Sequence, residues 1–149
     1  MRTLVAALAG LCLAGCAPRE FAGLLPLEPA APDFVVGSRS PELRWEELPT
    51  KTVAPGRAVT EVVYDLKVYV AGSSTPLYER VGLTENRHRL EMELDSNEGY
   101  VWTVRARYRV DSARRMTEWT EREDTWERDG NMAPRHPQYV PLKVVLPDP

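Results

Sequence analysis

Cysteine is nearly missing from this chain: Cys12 and Cys16 are the only two in 149 residues. No Cys-His spacing of a zinc site exists. Histidine is as scarce, at His88 and His136, and His88 stands between Arg87 and Arg89, which repel a cation. Neither histidine has ligands or a proton-transfer partner at fixed spacing, so the sequence assigns no metal, no cofactor and no catalytic residue. There is no Gly-x-Ser-x-Gly turn and no glycine-rich phosphate loop. A basic excess is lacking too: 19 Lys and Arg stand against 22 Asp and Glu, a net charge of −3, which argues against nucleic acid. Glu46 and Glu47 are adjacent acids, while Glu91 and Glu93 read as outward positions of a strand. No apolar run reaches the roughly 20 residues that span a bilayer. No stretch shows a capped amphipathic helical period, and no internal repeat is visible. The chain reads as non-enzymatic.

What is present begins at the N-terminus. Arg2 is followed by an apolar run from Leu4 to Leu13 and then by Leu13-Ala14-Gly15-Cys16. A charged start, a short apolar middle and small residues before a cut describe a secretory signal. Ending on that cysteine, the segment resembles the lipobox of bacterial lipoproteins. The resemblance implies removal of residues 1–15 and lipid on the sulfur and new amine of Cys16. Ala17, where an aspartate would imply retention at the inner membrane, points to the bacterial outer membrane. Several acyl chains on one residue hold durably where one chain does not. Cys12 leaves with the signal and Cys16 carries the anchor, so no disulfide remains. The cut also takes one arginine and no acid, moving the net charge from −3 to −4.

Residues 16–33 read as a lipidated cysteine and a semi-rigid tether punctuated by Pro18, Pro26, Pro29 and Pro32. Leu24, Leu25 and Leu27 in it are candidates to pack on the domain or a partner. From residue 34 to 128 the chain turns to strands. Phe34–Val36, Glu42–Glu46, Val62–Val70, Leu77–Leu83, Arg89–Leu94 and Tyr100–Val110 are the candidates, and Thr117–Arg128 holds a last one. Val62–Val70 sets Tyr64, Leu66 and Val68 on one face and Asp65 and Lys67 on the other. Tyr100–Val110 sets Tyr100, Trp102, Val104, Ala106, Tyr108 and Val110 inward, with Thr103, Arg105, Arg107 and Arg109 outward. Asp95–Gly99 is a turn, and Asp111–Arg115 reads as a loop. Period-two alternation with closely spaced turns predicts an all-β, two-sheet antiparallel sandwich. Residues 129–149 form a proline-rich C-terminal tail.

Several marks occur in order. Pro41-Glu42-Leu43-Arg44-Trp45 is similar to the B strand of fibronectin type III domains, whose Trp fills the core. Tyr64-Asp65-Leu66-Lys67-Val68 is similar to their C strand. Leu94 and Tyr100 resemble their tyrosine corner, although Ser96 stands where a proline is usual. Tyr100–Ala106 matches their F strand, and Thr117-Glu118-Trp119-Thr120 resembles the Ser-x-Trp-Ser before the last strand. The resemblance implies an immunoglobulin-like sandwich with Trp45, Tyr64, Leu94, Tyr100 and Trp102 in the core. It implies a spacer, adhesion or ligand-binding role rather than chemistry.

Candidate contacts follow from the outward residues. Arg105 and Arg107 suit an anionic partner, a stack on Trp119 as in the Arg and Trp ladder of cytokine receptors, or a structural pairing with Asp65 and glutamates opposite. The structural reading is favoured, and Met116 replaces one Trp of such a ladder. Trp119 and Trp126 beside Glu121-Arg122-Glu123-Asp124 suit a sugar, giving an alternative reading as a carbohydrate- or peptidoglycan-binding module. Tyr139–Leu146 is apolar and suits an added strand, on the chain's own sheet edge in preference to a partner's. The first expectation is a lipid-anchored module of a cell-envelope assembly with a protein partner, attached to the membrane through Cys16.

Overall fold

The computed structural model describes residues 23–29, 33–120 and 139–146. Among them lie β1 (Pro26–Glu28), β2 (Val35–Val36), β3 (Glu42–Trp45), α1 (Thr50–Val53), β4 (Val59–Val70), β5 (Tyr78–Leu83), β6 (Arg87–Arg89), β7 (Gly99–Val110), β8 (Ala113–Met116) and β9 (Val140–Val144). One sheet has the order β1-β3-β6. The other has the order β2-β9-β7-β4-β5, with β8 also on β7. All pairs are antiparallel except β2 with β9. The chain is an all-β sandwich.

β4 and β7 are its spine, each 12 residues long and paired from Val59 opposite Val110 to Val70 opposite Tyr100. Their alternation holds as expected: Tyr64, Leu66 and Val68 from β4, and Tyr100, Trp102, Val104, Ala106, Tyr108 and Val110 from β7, are buried. From the facing sheet come Leu43 and Trp45. The Trp45 ring meets Tyr64 edge-on at 5.5 Å and lies 6.4 Å from Trp102. All five expected core residues, Trp45, Tyr64, Leu94, Tyr100 and Trp102, are buried. The Tyr100 hydroxyl accepts the Asp95 backbone N–H at 2.7 Å, tying the turn to the strand that follows it.

Several expectations are corrected. Arg89–Leu94 is not a strand: β6 ends at Arg89. Leu90 and Leu94 are nevertheless buried, because their N–H groups bond to Pro41 and Arg39 of an equally irregular segment. The expected loop at Asp111–Arg115 is a two-residue turn followed by β8. Asp111 adopts φ 53, the left-handed conformation that tight hairpin turns require. The tether is not free over its whole length. Leu24 is buried and β1 pairs with β3, so the proline-rich stretch supplies a strand. Nor is 129–149 simply a tail, since β9 lies inside the six-stranded sheet, between β2 and β7. It is neither a free segment nor an edge strand. Pro141 is tolerated there because the N–H groups on its side of the chain, on Lys143 and Val145, bond to the Phe34 and Val36 carbonyls, and β2 does not extend as far as Pro141. Cys16, Trp126 and the rest of 121–138 lie outside the described residues.

The second flank of β7 is assembled from pieces. Going down β7, Val110 faces Ala113, Tyr108 faces Arg115, Ala106 is bonded by Thr117 N–H and Val104 by Thr120 N–H. Trp102 then faces Val140, and Tyr100 faces Leu142. Between Val104 and Trp102 β7 advances two residues, while its partner advances from 120 to 140.

Candidate functional site

The outer face of the six-stranded sheet gathers most of the side chains that the sequence nominates. Asp65, on β4, sits on this face yet is only 2 % exposed. Its outward position was expected and its burial was not. Arg107, across the ladder on β7, donates from Nε to Oδ2 at 2.8 Å and from Nη2 to Oδ1 at 2.9 Å. Arg105 Nε donates to Oδ2 at 3.1 Å. The fourth donor is the Gly82 N–H at 3.2 Å, brought round by a break in the β4–β5 register where Gly82 takes φ 77. Burial alone raises the Asp65 carboxyl. The bonds from Arg107, Gly82 and Arg105 together outweigh that, and the group sits below the ordinary carboxylate range.

Above this pair lies Trp119. The Arg105 guanidinium is 4.5 Å from its ring centroid and the Lys67 ammonium 5.1 Å, both within cation–π reach. Arg105 Nη1 also points at the Met116 sulfur at 3.7 Å. The result is a short ladder of Lys67, Trp119, Arg105 and Met116. Next to it the Tyr69 and Tyr139 rings stack at 5.3 Å and 25°. Arg109 reaches Glu61 Oε1 at 3.1 Å across the same ladder. Of the residues nominated from sequence, Arg105, Arg107 and Trp119 therefore meet. Tyr139 stacks on Tyr69, and Trp126 is outside the described residues. Lys67 and Tyr69 were missed. Alternation placed Lys67 on the right face, but nothing local pairs Tyr69 with a residue 70 positions away.

No protein-family model, curated protein or solved structure matches this chain. The assignment of function therefore rests on the chemistry of its own residues.

Two other features bear on that chemistry. A cleft of about 430 Å³ opens beside Arg44, Glu47, Thr50, Tyr64, Asn86 and Arg87. Its charges are largely engaged, since Arg87 is bonded to Glu85 at 2.9 Å and Arg44 to Glu28 at 3.4 Å. His88 stacks on Tyr78, and its Nε2 is 2.7 Å from the Tyr78 hydroxyl. Burial and the nearby Arg80 charge lower the His88 pKa. Among the described residues no three His, Cys, Asp or Glu side chains converge as metal ligands.

Proposed function

We propose that this chain is a non-catalytic, lipid-anchored module of a bacterial cell envelope, with a fibronectin type III-like body that binds a protein partner. One observation carries the partner: among the described residues β5 is an open edge of the six-stranded sheet. It presents Val81 at 61 % exposure, and Leu77 beside it is 44 % exposed. An unpaired edge of this kind is a template for an added strand. The titratable side chains gathered on the sheet's outer face are spent on one another, Asp65 on two arginines, and the interior is filled with aromatic rings. Both features fit a binding body better than an enzyme. The fibronectin type III reading draws support from the buried Trp45 and from the Tyr100 hydroxyl bonded back to the turn before it. The sugar reading is weakened at Trp119, whose ring already carries Arg105 and Lys67.

Two measurements test the proposal. Radiolabelled palmitate should enter the wild-type chain and not Cys16→Ser. A photo-crosslinker at residue 81 should give one discrete adduct in intact cells, while the same group at the exposed Glu93 gives none. Absence of label at Cys16 defeats the anchor, and equal crosslinking at both positions defeats the β5 partner.

A further inference from the structure

We propose that the cleft lined by Arg44, Arg87 and Glu47 binds a small zwitterion of the amino-acid or dipeptide kind, its carboxylate against the two arginines and its ammonium against Glu47. Neither the lipid anchor nor a partner at β5 is needed for it.

The arginines come from neighbouring strands. β3 and β6 pair antiparallel, and their register sets Arg44 directly opposite Arg87. Directly opposite residues share a face of the sheet, and like charges in that position repel. No shared carboxylate lies between these two. Arg44 Nη1 is 3.4 Å from Glu28, and Arg87 Nε is 2.9 Å from Glu85. Both are exposed pairs, of the kind that contributes little. Each guanidinium is a fork of several N–H donors and uses one nitrogen in its pair. Among the described residues the other nitrogens of both arginines have no acceptor. A carboxylate between the two forks would offset the repulsion and take up those donors, in the planar geometry that arginine matches.

Both arginines line the one cleft of about 430 Å³, a volume within the range of small-molecule sites. Leu48, Val62 and Tyr64 give it apolar wall. The Tyr64 hydroxyl accepts the Leu48 N–H at 3.2 Å, and its own proton has no acceptor among the described residues. Glu47 lines the same cleft, and among the described residues it has no hydrogen bond or ion pair. Burial pushes the Tyr64 hydroxyl pKa up, the bond from Leu48 pulls it down, and the Glu47 charge raises it again, so that carboxylate lies close to Tyr64. The cleft therefore offers charge of both signs. Arg44 and Arg87 hold spare donors, Glu85 is taken by Arg87, and Glu47 is the acid left over. A multiply charged anion such as phosphate would meet two acids there, and a bare cation two arginines. A molecule with one carboxylate and one ammonium satisfies both ends.

The test uses the full isotope-labelled chain in detergent micelles, titrated with alanyl-alanine and followed by amide NMR signals. Those of Leu48 and Arg87 should shift saturably, while Leu142, beside Tyr100 at the far end of β7, stays fixed. Alanyl-alanine amide, which lacks the carboxylate, should bind at least about ten-fold more weakly, and so should the free dipeptide to the Arg44→Gln, Arg87→Gln double variant. N-acetyl-alanyl-alanine, which lacks the ammonium, should bind about three-fold more weakly. It should bind Glu47→Gln as well as it binds the parent, because both changes remove the same contact. The double arginine variant should melt at an unchanged or higher temperature, since the free protein loses a repulsion and two exposed pairs. No saturable shift up to about 50 mM dipeptide, well past a millimolar dissociation constant, overturns the proposal. So does an amide bound as tightly as the free acid, or binding that survives in the double arginine variant. Inorganic phosphate bound more tightly than the dipeptide overturns it as well.

Discussion

The two flanks of β7 are built in different ways. On one side β4 runs its full length as a single strand, bulged once between Thr60 and Val63 where Glu61 takes φ 52, and from Val63 onward the ladder needs only the period-two alternation of both sequences. On the other side β8, the stretch 117–120 and β9 share the work. Threonines make up what the broken ladder lacks. Thr117 Oγ1 accepts the Ala106 N–H at 3.0 Å, and Thr103 Oγ1 donates to the Thr120 carbonyl at 2.9 Å. Thr120 Oγ1 lies 2.9 Å from the Val104 carbonyl and 2.8 Å from that of Leu24. All three threonines are buried. A regular flank is encoded locally, whereas an interrupted one is held by hydroxyls whose partners are up to 96 residues away.

Leu142→Asp asks whether the assembled flank matters as much as the continuous one. It places a charge where Leu142 is 1 % exposed, and the expected loss exceeds about 4 kcal/mol, abolishing cooperative urea unfolding. Cooperative unfolding close to that of the parent would make β9 an accessory. On the continuous flank, Asp65→Asn should cost about 2–3 kcal/mol, less than a fully buried pair because both arginines are about a third exposed. The Asp65 carboxyl sits below its unfolded value near pH 4, so its contribution is complete above that pH. It disappears as the pH falls through the lower, folded value. Stability measured from pH 7 down to 2 should therefore drop less steeply in Asp65→Asn than in the parent.

Thr120→Val keeps the shape and removes the hydroxyl, and should cost about 1–2 kcal/mol through the Leu24 carbonyl it leaves without that bond, since the Val104 carbonyl keeps the Thr120 N–H. A chemical-denaturation midpoint unchanged from the parent would mean that the hydroxyl does not close the seam. The smallest effect belongs to deletion of residues 121–138. Joining Thr120 to Tyr139 leaves one residue between the partners of Val104 and Trp102, as in an unbroken strand. The melting temperature should move by no more than about 4 °C, a change of 1 kcal/mol or less. A larger fall would show that the deleted residues hold the fold.

Legibility in the sequence follows the same division. The β4 and β7 faces could be read because alternation depends on neighbours a few residues apart, whereas Trp45 in the core and the bond from Tyr100 back to the preceding turn were what the family resemblance implied. Arg105 and Arg107 were placed on the correct face, with the structural pairing favoured. The burial of Asp65 was not legible: an aspartate between Tyr64 and Leu66 reads as outward, and it is covered only because Arg105 and Arg107 fold over it from 40 and 42 residues away. β9 was visible as an apolar segment. Its place beside Trp102 was not, because alternation gives a strand its faces without naming its neighbour.

The order in which the pieces are made has a cost during synthesis. Val140–Val144 completes the flank of β7, so a nascent chain must carry Tyr100 and Trp102 with one backbone flank bare until residues 140–144 emerge. In that interval the bare flank is open to holdase chaperones or to another unfinished copy. A nonsense codon shortly before residue 140 would make the exposure permanent, and should be as harmful to the yield of soluble protein as a lesion in the core.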